Sequence, residues 1–202
     1  MKIQPVETKY AGCRFRSRLE ARWATCFDAL RIRWEYEPQG FAIEDRSGST
    51  SLYLPDFLLT DHGTWAEIKG SDADLDRRRL EAAAISLPEM PAPTPGPRLL
   101  LLGPIPRPAD HAWTWLGLDP YQDPAYDIEP YAVESRWAFV RHMQHRARLV
   151  RSRSSDEEFR WALDAELTAP KEALAPFVPR DGGVSYAYQA ARSARFEHEE
   201  AA

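Results

Sequence analysis

The chain has 202 residues, 44% of them apolar and 28% charged, with a formal net charge of −5. That length fits one full domain with a sizeable appendage, or two small domains, and the balance excludes a disordered chain. No run of eighteen apolar residues occurs, so no membrane-spanning helix is expected; MKIQPVETKY holds no apolar signal core, and a cytoplasmic protein of bacterial or phage type is the expectation.

In chain order, residues 17–30 (SRLEARWATCFDAL) read as a helix. Ser17 can cap it, and Leu19, Trp23, Phe27 and Leu30 form one apolar stripe. Glu20 follows Leu19 and falls at the edge of that stripe. Strands are expected at 32–37 and 41–44, broken at Pro38-Gln39-Gly40. Two more are expected at 51–60 and 64–69, joined by Asp61-His62-Gly63 as a hairpin. A helix follows over 74–86, then the connector LPEMPAPTPGP, whose prolines fit neither helix nor sheet. RLLLLG is an apolar run typical of a strand buried on both faces. These elements make a small mixed α/β sheet that is complete near residue 106.

Residues 107–131 lack a clean period and read as an irregular linker. From 132 onward three helices are expected. The first covers 136–153, with Trp137, Val140 and Met143 on its apolar face. The second follows Ser155-x-x-Glu158, a capping-box pattern, and the third is a terminal helix in VSYAYQAARSARFEHEE. Cys13 and Cys26 have no His pair nearby, so reduced structural thiols are expected rather than a zinc site. His62, in the hairpin turn, and His142 and His145 read as polar surface residues.

Charge is unevenly placed. The chain has 22 Arg and 4 Lys; residues 1–33 hold eight basic and three acidic side chains, and 136–153 hold six arginines and no acid. The planar guanidinium fork suits phosphate, so Arg16, Arg18, Arg141, Arg146 and Arg148 are candidate nucleic-acid contacts. An acidic partner, or a composition bias toward arginine, explains the same residues without nucleic acid.

The stretch YLPDFLLTDHGTWAEIKG (53–70) concentrates the chemistry. Strand side chains alternate faces, so Leu52, Leu54, Asp56 and Leu58 share one face, and Trp65, Glu67 and Lys69 share one on the next strand. The hairpin can bring Asp56, Glu67 and Lys69 together. Two close carboxylates repel, which raises a pKa or calls for a cation between them, and a hard divalent ion prefers such oxygen ligands. The competing reading is a solvated strand face with a cross-strand ion pair. Trp65 and the leucines argue that the face is partly buried, where an unpaired charge costs on the order of 3–5 kcal/mol.

Pro55-Asp56 followed by Glu67-Ile68-Lys69, across a hairpin and behind a helix bearing Glu20, resembles the PD-(D/E)xK nuclease superfamily over about residues 14–106. FRSRLEARWA, YEP, YLPDF and EIKG look like a phage and actinobacterial subset. The resemblance implies an α/β fold with a restriction-endonuclease-like core at 10–106; beyond it the sequence pattern gives a linker at 107–131 and a helical C-terminal extension at 132–202. It implies Mg²⁺ (or Mn²⁺) held by Asp56, Glu67, the carbonyl of Ile68 and, directly or through water, Glu20, with Lys69 handling the attacking water. Asp56, Glu67, Lys69 and Glu20 are then the catalytic set of a DNA-hydrolysing enzyme using metal-activated water, in phage or plasmid DNA processing, repair or defence. DNA is the expected partner, with a homodimer or larger nucleoprotein complex open and no membrane. A non-catalytic DNA- or protein-binding module within a larger assembly is the alternative; RNA cleavage is a weaker one, and the metal count stays open.

Overall fold

The structure, a computed structural model, describes residues 7–106, 114–121, 131–141, 147–152 and 183–196. A small ribbon of β1 (Thr8–Tyr10) and β2 (Cys13–Phe15) leads into α1 (Arg18–Ala29). Ser17 caps α1, its hydroxyl accepting the Glu20 N–H at 3.2 Å. The helix ends with Arg31 in the left-handed region (φ 58°) and Ile32 N–H returning to the Phe27 carbonyl at 2.9 Å, which satisfies a terminal acceptor.

Then come β3 (Trp34–Tyr36), β4 (Phe41–Glu44), β5 (Thr50–Tyr53), β6 (Phe57–Leu59) and β7 (Thr64–Ile68). After a 3₁₀ turn at Asp72–Asp74, α2 (Arg77–Ser86) starts from the Asp76 cap. The remaining described elements are β8 (Leu99–Leu102), β9 (Thr114–Tyr121), β10 (Tyr131–Arg141), β11 (Ala147–Ser152) and α3 (Val184–Ser193).

Seven strands form one mixed sheet in the order β11-β10-β9-β8-β7-β6-β3, while β4 and β5 pair apart as a separate ribbon. Every neighbouring pair in the main sheet is antiparallel except β7 and β8, which α2 connects as a crossover. Strand alternation divides the core. Phe57, Leu59, Ala66, Ile68, Leu100, Leu102 and Phe139 pack with Trp23 and Phe27 of α1 and Tyr188 of α3. Leu58, Trp65, Leu99, Leu101 and Leu118 pack with Leu80 and Ala83 of α2 on the other face. The fold is mixed α/β, with helices on both faces of the sheet.

The C-terminal half departs from the sequence expectation. Within the helix expected over 136–153, the described residues are strands: Arg136–Arg141 pair antiparallel with Ala147–Ser152. The apolar residues of that stretch satisfy a three- or four-residue step and a strand alternation alike, so periodicity cannot choose. Pairing decides, because β10 lies between β9 and β11 and buries Trp137, Ala138 and Phe139. The expected irregular linker likewise contains β9, which hydrogen-bonds to β8. The extension is therefore sheet as well as helix, and α3 covers α1 through Val184, Ala187, Tyr188 and Ala191. The helix expected after Ser155, and His142, His145 and Arg146, lie outside the described residues. Cys13 and Cys26 are free thiols. Among the described residues no helix is long and apolar enough to cross a membrane.

Candidate active site

The expected single strand over 51–60 breaks at Leu54-Pro55-Asp56. Tyr53 ends β5 in the outer ribbon, and Phe57 begins β6 in the main sheet. Pro55 lacks an N–H for a ladder, and the break turns Leu52 and Leu54 outward; Leu52 is 79% exposed. The shared face expected for Leu52, Leu54, Asp56 and Leu58 therefore holds only from Asp56 on. Leu58 lies opposite Trp65 and Phe57 opposite Ala66. One step further, Asp56 and Glu67 fall on the α2 side of the sheet.

They line one cleft of about 840 Å³ together with Arg16, Ser17, Glu20, Tyr53, Ile68, Lys69, Asp74, Asp76 and Arg79. Asp56 and Glu67 are 5% and 7% exposed. Asp56 Oδ2 accepts the Ile68 N–H at 2.7 Å, and Oδ1 accepts from the Arg16 guanidinium at 3.2 Å. Glu67 Oε1 is 2.6 Å from Lys69 Nζ, and Oε2 accepts from the Tyr53 hydroxyl at 2.8 Å. Burial, then the Glu67 charge, push the Asp56 carboxyl up to about 8, although the Ile68 N–H and Arg16 pull the other way. Burial and the adjacent Glu67 hold the Tyr53 hydroxyl far above its usual range, so it remains a donor.

The sequence-predicted residues separate at this point. Asp56, Glu67, Ile68 and Lys69 converge as expected, and Glu20 joins them in the lining. Glu20 is nonetheless engaged by three protein donors. Oε1 accepts the Ser17 hydroxyl at 2.6 Å; Oε2 accepts the Tyr36 hydroxyl at 2.7 Å and the Arg16 backbone N–H at 3.1 Å. It ties the start of α1 to β3. Arg16 does not pair with Glu20 through its guanidinium, which instead meets Asp56 and Glu37. Arg18, exposed at the first position of α1, is outside the lining. Arg148 stands on β11, four strands from β7, on the order of 19 Å along the sheet at ~4.8 Å per strand. Arg141 ends β10 next to it, opposite Ala147.

Sequence reasoning missed Tyr53, Arg79 and Glu37. Glu37 had a signal: it lies in the singled-out YEP, adopts a left-handed backbone (φ 43°), and donates its N–H to the Asp56 carbonyl at 2.9 Å. His62 also differs from expectation. It is buried, with Nδ1 3.0 Å from the Thr94 carbonyl, because the proline-rich connector lies over the hairpin turn.

Among the described residues no three His, Cys, Asp or Glu side chains form a ready-made ligand cage. The donors on offer are the two buried carboxylates of Asp56 and Glu67, which repel one another, with Ile68 in the same lining. That set fits a Mg²⁺-like ion, which keeps several waters and takes one or two carboxylates. Family models, curated proteins and solved structures were each searched, and none matches the chain.

Proposed function

We propose that the chain is a metal-dependent nuclease of the PD-(D/E)xK type that hydrolyses DNA phosphodiester bonds. One observation supports this above the others: Asp56 and Glu67, from neighbouring strands, are buried in one cleft with Lys69 on Glu67. Evolution toward stability alone has little use for two such carboxylates, because each loses solvation and repels its neighbour. A divalent ion bound there would neutralise both and lower the pKa of a coordinated water. Asp56, Glu67 and the Ile68 carbonyl would hold it.

Lys69 has three donors and uses one on Glu67. The others are available to orient a nucleophilic water or to stabilise charge growing on phosphorus. Arg16 adds positive charge at the lip of the cleft, and Glu37 and Asp56 keep its guanidinium there. Glu20 acts as a positioning residue by fixing the backbone of Arg16 and the start of α1. These contacts read phosphate rather than base, so sequence preference has to arise elsewhere.

The test is incubation of the purified protein with plasmid, linear duplex and single-stranded DNA, in Mg²⁺ or Mn²⁺ and then in EDTA. Cleavage abolished by EDTA is expected. Asp56→Ala and Lys69→Ala should lose activity by at least about a hundredfold while DNA binding persists. Normal cutting by either variant would remove its assigned role. DNA binding without any cleavage by the unaltered protein would hand the fold to the non-catalytic alternative.

A further inference from the structure

The cleft has a second wall, built from the end of β5 and the first turn of α2, which the proposed chemistry leaves unused. Arg77, Arg78 and Arg79 open α2, at the end of a helix where the macrodipole disfavours cations. Arg77 meets Glu134 at 3.2 Å, away from the cleft. Arg79 lines the cleft. Its Nη2 donates to the Leu52 carbonyl at 2.7 Å, and its Cζ lies 5.7 Å from the centre of the Tyr53 ring. These contacts hold the guanidinium at this wall and use one of its five N–H donors. The same Tyr53, 4% exposed, donates its hydroxyl to Glu67. The cation on this wall and the carboxylate in the cleft therefore share one rigid aromatic residue.

We infer that Arg79 contacts the phosphodiester backbone of the bound DNA strand, and that Tyr53 is a positioning residue linking that contact to Glu67. The inference rests on the nuclease reading. Arg16 serves the α1 wall and Arg79 the α2 wall, so the strand is held on both sides of the two carboxylates. A planar fork held by the Leu52 carbonyl and set over the Tyr53 ring can grip a phosphate with two parallel hydrogen bonds, which a lysine at the same place cannot. Tyr53 holds one oxygen of Glu67 and Lys69 the other, which fixes the orientation of the carboxylate.

The first measurement is binding of a fluorescent duplex by anisotropy in EDTA across a KCl series, which needs neither metal nor turnover. Arg79→Ala should weaken binding and reduce the slope of log K against log[KCl] by about 0.9, the loss of one phosphate contact. Arg79→Lys should restore the slope but not the full affinity. Tyr53→Phe keeps the ring under Arg79, so its slope should match the unaltered protein. In Mg²⁺ the same variant should lower kcat about ten- to hundredfold with KM little changed, as expected when a partner that orients a ligand is removed. Thermal melts check that each variant folds. An unchanged slope in Arg79→Ala overturns the backbone contact, and an unchanged kcat in Tyr53→Phe overturns the positioning role; if the unaltered protein still cleaves, the nuclease reading survives either result. A protein that never cleaves DNA in Mg²⁺ or Mn²⁺ overturns the nuclease reading and with it the positioning role of Tyr53, while the salt slope still decides the Arg79 contact.

Discussion

Asp56 is where cost and use meet most directly. Folded, it keeps its proton up to about pH 8; unfolded, it releases it near its ordinary value of 3.8. The folded state therefore binds more protons between those limits, and stability falls as pH rises through the window. In EDTA this decline should show in denaturant melts from pH 4 to 8, and Asp56→Asn should remove this group's share, a few kcal/mol across the range. Equal slopes in the two proteins would mean that Asp56 is ionised throughout. At this scale the sequence was legible where one rule governed: the two-residue alternation of a strand put Asp56, Glu67 and Lys69 on one side. Tyr53 and Arg79 were not legible, since their roles depend on a chain break at Pro55 and on a ribbon folding back over α2. Glu20 showed its place but not its engagement, because Tyr36 reaches it from a strand sixteen residues away.

Among the elements, the β6–β7 hairpin is held on its outer side by the connector over 88–97. Gly96 N–H donates to the His62 carbonyl at 3.0 Å, and the Trp65 indole N–H donates to the Pro88 carbonyl at 3.0 Å. Gly63 makes this close approach feasible. It sits at φ 59°, and a Cβ there would lie 2.1 Å from the Met90 carbonyl oxygen. Gly63→Ala should cost at least about 2 kcal/mol, from the left-handed backbone and the forced separation of connector and turn. Differential scanning calorimetry would read this as a lowered Tm; an unchanged Tm would mean that the connector is not packed there. The composition identified this stretch as neither helix nor strand, yet could not show that it packs, since prolines exclude ladders without excluding contact. The strands β10 and β11 were missed for another reason. Aromatic and apolar residues interleaved with arginines fit two periods over so short a span, and only the neighbouring strand β9 makes one of them correct.

Across the described residues, one apolar cluster runs from Phe15 to Ala191, so the N-terminal α/β portion and the C-terminal strands and helix share their core. Tyr188 of α3 packs edge-on against Trp23 of α1 at 6.1 Å, and the Arg192 guanidinium donates to the Pro106 carbonyl. Tyr188→Ala should cost about 3 kcal/mol, read as a shift in urea midpoint with the slope unchanged. A loss near zero would detach α3 from the core. The expected division at residue 106 had a sound local basis, a proline-rich stretch followed by a loss of period. It did not foresee that β8 still needs a neighbour, which β9 supplies.

The parallel junction of β7 and β8, alone of its kind among the described strands, also bears on the order of assembly. Asp56 and Glu67 lie eleven positions apart on a local hairpin, whereas β8, which pairs beside β7, arrives over thirty residues later through a crossover. Closing that longer loop is the slower event. During folding Glu67 can therefore remain hydrated on that side while the turn forms, until Leu101 of β8 pairs opposite it.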